Sequence, residues 1–145
     1  MKIALGSDHA GLPLKRAIAA MLEGAGHTVL DAGTHAEASV DYPDFAQAVA
    51  GKVVTGEATC GVLVCGTGIG MAMAANRHPG IRAAVLHSVT EARLARAHND
   101  ANIACLGART TGVDVALDAV AAFLATPFEG GRHAGRLAKM ESALT

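Results

Sequence analysis

Short apolar runs alternate with amphipathic segments along the whole chain, with no linker or low-complexity tract between them. The runs predict strands over residues 2–6, 27–31, 61–65, 83–86 and 102–106. The segments between and after them predict helices over residues 13–25, 42–55, 71–77, 89–96, 113–125 and 132–144. Repeated strand–helix units favour a parallel sheet with helices on both faces. We therefore predict one α/β domain over residues 1–145: a three-layer αβα sandwich with a five-stranded parallel Rossmann-like sheet and a C-terminal helix.

The composition fits this architecture and excludes several classes of partner. Hydrophobic residues make up 51% of the chain and aromatic residues only 3%, which predicts a closely packed aliphatic core. A net charge of −1 provides no general attraction to nucleic acid or to an anionic membrane surface. The longest apolar stretch, residues 61–75, is interrupted by glycines and is too short to span a bilayer.

The three cysteines, Cys60, Cys65 and Cys105, form no C-x-x-C pair, and their number is odd. Free thiols in a reducing cytoplasm are the natural interpretation. A zinc site is disfavoured because no second close pair supplies the remaining ligands. No metal or cofactor is predicted.

The hexapeptide CGTGIG, residues 65–70, follows the most apolar predicted strand. Its glycine spacing differs from the dinucleotide fingerprint, and no phosphate-loop lysine follows it. Backbone N–H groups of such a strand-to-helix turn can converge on an anion, although a tight packing turn explains the glycines equally well. Cys65 favours chemistry, because nearby N–H groups and a helix dipole promote the thiolate, which can act as nucleophile or general base. The alternative, a small buried hydrophobe, is predicted for Cys60 and Cys105.

Ligands of open parallel sheets bind beyond the carboxyl ends of the strands. With a flavodoxin-like strand order, Asp8 and His9 after the first strand would face the Cys65 turn after the third. His98 and Asn99, in a predicted loop before the fifth strand, are candidates for moving protons near neutral pH.

Arginines near the C-terminus provide a candidate anion site. Arg132 and Arg136 are four residues apart on a predicted helix and share one face, where guanidinium forks suit a phosphate. Arg109 follows the fifth strand and is a candidate to join them. A solvated basic face is the alternative for this pair.

Five segments together carry a resemblance to a known family. The sequence GSDHAG (6–11), DYPDFA (41–46), CGTGIGMAMAANR (65–77), RAHNDANIACLGAR (96–109) and EGGRHAGR (129–136) closely resembles the type B ribose-5-phosphate isomerases. The resemblance covers nearly the whole chain in matching order and spacing. The wider family includes galactose-6-phosphate isomerase subunits and enzymes that act on allose 6-phosphate.

The resemblance implies a role for each candidate residue. Cys65 is the base that moves a proton between C1 and C2, and His98 opens the furanose ring with Asp8 and Thr67 nearby. Asn99 orients the sugar oxygens and Tyr42 flanks the ring. The enediolate oxygens are held by Thr67 and the N–H groups of Gly66, Thr67, Gly68, Ile69 and Gly70. The phosphate is bound by His9, Arg109, Arg132 and Arg136.

The resemblance also bears on the branch of the family and on assembly. One branch replaces the cysteine with a glutamate just after the glycine loop; Met71 occupies that position here, so the chain matches the cysteine branch. Family members form dimers or tetramers with shared sites, in which a neighbouring subunit contributes the His98–Asn99 segment. The expected substrate is ribose 5-phosphate. A six-carbon phosphosugar, such as allose 6-phosphate or galactose 6-phosphate, and a non-catalytic phosphosugar-binding module are the alternatives.

Overall fold

The computed structural model describes residues 1–144 and contains five strands and six helices. The strands are β1 (Lys2–Ser7), β2 (Thr28–Asp31), β3 (Cys60–Cys65), β4 (Ala83–Val85) and β5 (Ile103–Gly107). The helices are α1 (Leu12–Gly24), α2 (Tyr42–Val54), α3 (Ile69–Ala75), α4 (Val89–Asn99), α5 (Val113–Ala125) and α6 (Arg132–Ser142). Every predicted element is present, and the predicted three-layer αβα fold is confirmed. No helix within residues 1–144 is long and apolar enough to cross a membrane.

The five strands form one parallel sheet in the order β2-β1-β3-β5-β4. The predicted neighbours β1 and β3 lie side by side, but the flavodoxin-like order is wrong beyond β3. There β5 takes the inner place and β4 the edge. Every residue of β5 is buried, whereas the three residues of β4 are only partly buried, as expected for an interior strand and an edge strand.

Two aliphatic cores lie on the two faces of the sheet, because successive side chains of a strand point to opposite sides. Ile3 and Leu5 face the layer that contains α1, α4 and α5. Ala4, between them, faces α2 and α3. The strand order places α4 beside α5, since the chain returns from the edge strand β4 to the interior strand β5.

Two helix boundaries differ from the prediction in ways that matter for the site. Helix α3 begins at Ile69, two residues before the predicted start, so the glycine turn leads directly into it. Helix α4 continues to Asn99, so His98 and Asn99 lie in its last turn rather than in a loop. The helix ends because Asp100 adopts the left-handed conformation (φ 44°, ψ 43°).

Lys15 is one of the largest fully buried side chains, with 1% of its surface exposed. Its ammonium donates hydrogen bonds to Asp31 Oδ1 and to the carbonyl of Thr34, each 2.6 Å long. A buried charge requires such partners. These two hydrogen bonds attach α1 to the end of β2 and to the segment that follows it.

Gly11 lies where α1 approaches the sheet most closely. A Cβ at this position would stand 2.5 Å from the carbonyl oxygen of Val64, and backbone on both sides leaves it no room to move. By contrast, Gly24 at the other end of the same helix has no atom within 4 Å of its Cβ position.

Replacing these two glycines with alanine tests that packing. We expect Gly11→Ala to lower the free energy of unfolding by about 1–3 kcal/mol, because the new methyl group overlaps the Val64 carbonyl. Gly24→Ala should leave stability unchanged or raise it by up to about 1 kcal/mol, since alanine favours the helix. Urea denaturation of both variants measures the difference. Equal stability of the two variants would contradict the close contact at Gly11.

Candidate active site

Cys65 is the last residue of β3, and its side chain is 5% exposed. The backbone N–H of Gly68 donates a hydrogen bond to its sulfur over 3.1 Å. Thr67, which is exposed, accepts a hydrogen bond at Oγ1 from the N–H of Ile69 over 3.2 Å. An N–H donor aimed at the sulfur stabilises a negative charge there. The turn therefore holds the thiol against the first residues of α3, as the sequence predicts.

The shape of this turn depends on two glycines. Gly68 has φ 78°, a conformation that side chains other than glycine rarely adopt. Gly107, which ends the neighbouring strand β5, makes room for the turn: a Cβ there would lie 2.7 Å from Cα of Thr67. The turn thus packs directly on the end of β5, with the backbone of Thr67 against Gly107.

Asp8 and His9 follow β1 and lie next to the turn. The N–H of Asp8 donates to the carbonyl of Val64 over 3.2 Å, and Asp8 Oδ1 accepts the N–H of Gly11 over 2.9 Å. His9 Nδ1 accepts the N–H of Val40 over 3.2 Å. Because Nδ1 is an acceptor, the ring hydrogen of a neutral His9 is on Nε2. The predicted neighbourhood of Asp8, His9 and Cys65 is present.

Tyr42 and Arg109 flank the same turn. The ring of Tyr42 covers Gly70, where a Cβ would lie 2.6 Å from Tyr42 Cζ. The guanidinium of Arg109 lies against Gly66, 3.3 Å from the corresponding Cβ position, and its backbone N–H donates to the Gly66 carbonyl over 2.9 Å. A thiol, a carboxylate, an imidazole, a phenol and a guanidinium thus lie at the carboxyl end of the sheet. We call this group the thiol half-site; it comprises Asp8, His9, Tyr42, the turn 65–70 and Arg109.

The remaining predicted residues lie at the amino end of the sheet, opposite the end that carries Cys65; they are His98, Asn99, Arg132 and Arg136. Helix α4 runs back against the strands and ends where β5 begins. Cys65 is paired with Gly107, and Gly61 with Ile103 at the start of β5. Four strand residues span about 13 Å. His98 and Asn99 come before the start of β5, so about the length of that strand separates them from Cys65.

Helix α6 begins at the same edge as His98. The N–H of Glu129 donates to the carbonyl of Ala97 over 3.0 Å and joins the loop before α6 to the last turn of α4. Arg132 and Arg136 follow on α6 and are exposed. We call this second group the imidazole half-site; it comprises His98, Asn99, Arg132, His133 and Arg136.

Asp100 fixes the end of α4, a role that the sequence analysis missed. Arg96 Nη1 donates to Asp100 Oδ1 over 2.8 Å, and Arg82 Nη2 donates to Oδ2 over 3.2 Å. Two guanidinium groups therefore hold the one residue other than glycine that has positive φ among residues 1–144. The His98–Asn99 turn is anchored directly before it.

His133 is a second residue that the sequence analysis missed. Its ring stacks on that of His98 with centroids 4.4 Å apart and an angle of 16° between the planes. The available evidence that His133 faces inward was its helical spacing from the apolar residues Leu137 and Met140 of α6. Burial lowers the pKa of His133, and the neighbouring His98 and Arg132 lower it further.

His98, Glu129 and His133 are also the one group of three His, Cys, Asp or Glu residues among residues 1–144 whose ligand atoms lie close together, within 4.8 Å. A metal bond to imidazole lies in the plane of the ring. Because the two rings are nearly parallel, their lone pairs run side by side and do not converge on one ion. The arrangement fits stacking better than chelation.

The other two cysteines are buried in the core, as predicted. Burial raises the pKa of the Cys60 thiol to about 11, and it raises the pKa of Cys105 further. Both thiols therefore stay protonated at neutral pH, whereas the Cys65 sulfur has an N–H donor beside it.

Together, the fold and the thiol half-site define a three-layer α/β protein with a thiol and hydrogen-bond donors gathered at the carboxyl edge of its sheet. A family model described as Ribose/Galactose Isomerase matches residues 3–140. The chain belongs to this family.

The sequence of this chain matches individual relatives along nearly their full length. The chain is 45% identical to the ribose-5-phosphate isomerase B of Escherichia coli over 136 residues, 94% of this chain and 91% of the relative. The structure of the ribose-5-phosphate isomerase B of Clostridium thermocellum matches with a TM-score of 0.98 and 52% identity, covering 99% of this chain and 97% of that one. A ribose 5-phosphate isomerase of Thermotoga maritima matches with a TM-score of 0.96 and 50% identity, covering 97% of each chain.

Alkylation tests the difference between the three thiols. At pH 8, we expect iodoacetamide to modify Cys65 at least about tenfold faster than Cys60 or Cys105, because the thiolate is the reacting species. Peptide mass spectrometry after timed quenching measures the three rates. Preferential labelling of Cys60, which is slightly more exposed at 8%, would show that exposure rather than thiolate formation controls reactivity.

Proposed function

We propose that this protein is an aldose–ketose isomerase that interconverts ribose 5-phosphate and ribulose 5-phosphate through an enediolate. The observation that carries the proposal is the Cys65 sulfur at the mouth of the glycine turn, beside hydrogen-bond donors, in a chain that belongs to the Ribose/Galactose Isomerase family. The relatives named ribose-5-phosphate isomerase B, at 45–52% identity, support the pentose as substrate. We further propose that the protein works in the reducing cytoplasm, since its three cysteines are free.

The chemistry follows from the thiol half-site. The Cys65 thiolate removes the proton from C2 of the open-chain aldose, and the electrons move onto the carbonyl oxygen to form the enediolate. The same sulfur returns a proton to C1, while a proton moves between the two oxygens. Backbone N–H groups of the turn and Thr67 stabilise the oxygen charge as it develops, which lowers the barrier more than it tightens binding. One donor of this kind contributes on the order of 3 kcal/mol.

The phosphate requires donors at a distance from the reacting carbons. His9 presents its Nε2–H when neutral, because Nδ1 is occupied by the N–H of Val40. The guanidinium of Arg109 lies at the same edge. Arg132 and Arg136 complete the proposed phosphate site from the imidazole half-site, where planar forks suit phosphate oxygens.

The separation of the two half-sites supports a second part of the proposal. Cys65 and His98 act on one sugar molecule. Within one chain, however, Cys65 lies at the carboxyl end of the sheet and His98 at its amino end. A complete site therefore needs the thiol half-site of one chain and the imidazole half-site of another. We propose a homodimer, or a tetramer built from such dimers, in which a two-fold axis forms two shared sites.

Turnover of two substrates tests the proposed activity. We expect kcat/KM for ribose 5-phosphate to exceed that for allose 6-phosphate by at least about tenfold, because one extra carbon must fit the same pocket. Cys65→Ala should lower kcat about 100-fold or more and leave ribose 5-phosphate binding nearly unchanged. Coupled spectrophotometric assays measure the rates, and calorimetry measures binding.

Cys60→Ala is the matched control for this experiment, since it makes the same change at the other end of β3. It should keep near wild-type kcat. A preference for the hexose would redirect the proposal to a six-carbon phosphosugar. Binding of ribose 5-phosphate without turnover in the wild-type protein would indicate a phosphosugar-binding module.

Mixing two inactive variants tests the shared site. Cys65→Ala and His98→Ala should each be nearly inactive alone. After unfolding and refolding together in equal amounts, we expect about a quarter of wild-type activity, because half of the dimers are mixed and each contains one intact site. Variants that never complement each other would place both half-sites in the same chain and contradict the shared site.

A further inference from the structure

The stacked imidazoles of His98 and His133 differ in their surroundings. His98 is partly exposed in the last turn of α4, whereas His133 is 6% exposed in the first turn of α6. The rings lie nearly parallel with centroids 4.4 Å apart. The buried ring of His133 therefore packs on one face of the partly exposed His98 ring.

The backbone around His133 is tied to the turn that carries His98. The N–H of Glu129 donates to the carbonyl of Ala97, and the N–H of His133 donates to the carbonyl of Gly130, over 3.0 and 3.1 Å. Gly130 and Gly131 both have positive φ, 67° and 56°, and turn the chain sharply into α6. Main-chain hydrogen bonds thus join the loop before α6 to the last turn of α4.

The polar atoms of His133 do not explain its burial. Within residues 1–144, Nε2 is buried without a hydrogen-bond partner, and the nearest carboxylate oxygen, on Glu129, is 3.7 Å away. Burial, His98, Arg132 and Arg136 lower the pKa of His133, and only Glu129 opposes them. His133 thus contacts His98 through the face of its ring, while its Nε2 makes no hydrogen bond.

We propose that His133 is a positioning residue: its buried ring is the platform that holds the His98 imidazole in the orientation required for opening the sugar ring. The inference rests on the proposed function and on the role that the family resemblance implies for His98, the opening of the furanose. Ring opening breaks the C1–O4 bond, removes the proton from the O1 hydroxyl and supplies one to O4. One imidazole face packed against a fixed ring confines the nitrogen that takes part in this transfer.

Isotope exchange separates this step from proton transfer at carbon. Ribulose 5-phosphate cannot close a furanose ring, because its C5 oxygen carries the phosphate. Exchange of its C1 hydrogen with D₂O therefore needs Cys65 but not ring opening. For His133→Ala, we expect net conversion to ribose 5-phosphate to fall at least about tenfold, with exchange at C1 within about twofold of wild type. NMR follows both reactions in one sample.

His133→Phe is the conservative variant, because it keeps a flat ring and removes the nitrogens. It should retain conversion within about threefold of wild type. Lys139→Ala, an exposed change on the same helix, should match wild type in both reactions. Thermal melting confirms that each variant is folded.

Three outcomes would overturn the inference: full conversion by His133→Ala, a parallel loss of exchange and conversion in that variant, or equal loss in the Phe and Ala variants. If the proposed function itself is wrong, the wild-type protein will neither convert ribose 5-phosphate nor exchange the C1 hydrogen of ribulose 5-phosphate.

Discussion

The parallel direction of all five strands is the constraint on which the rest of the structure depends. In a parallel sheet, every strand must be followed by a segment that returns to the starting edge, and here helices make that return. Residues that follow the strands collect at the carboxyl end of the sheet, and residues that follow the helices collect at its amino end. The thiol and the imidazole half-sites follow directly from this rule, since Cys65 ends a strand and His98 ends a helix.

Close packing by small residues makes the thiol half-site possible. The turn after β3 lies on the end of β5 because Gly107 has no side chain to separate them, and Gly68 adopts a conformation that closes the turn. The result brings an N–H to the Cys65 sulfur without any large side chain in between. The abundance of small residues thus gives the chain an aliphatic core with few aromatic rings. It also allows the tight turn around Cys65.

Periodicity in the sequence predicted every strand and helix, the layering and the contact between β1 and β3. It did not predict that β5 lies between β3 and β4, because both strands are apolar and the pattern of one strand contains no information about its neighbours. The extension of α4 was missed because it depends on Asp100, whose left-handed conformation is held by two distant arginines.

The structure places Asp8 beside the Cys65 turn, as the strand pattern predicts, and places His98 and Asn99 at the other end of the sheet, where the resemblance implies that they serve a neighbouring subunit. The chemical roles of these residues stay predictions. His133 was missed because a polar ring between two exposed arginines of α6 does not by itself indicate burial. The membership of the chain in the isomerase family, by contrast, was evident from the order and spacing of five segments and is confirmed.

The two outer strands of the sheet are short, with four residues in β2 and three in β4. Such edges offer few free backbone groups to an incoming strand and are poor templates for joining two sheets. Copies of the chain that associate as proposed would then meet through helices and loops, with each sheet remaining a separate unit. Surface substitutions on helices could change how copies assemble while the hydrogen-bonded interior of every subunit stays the same.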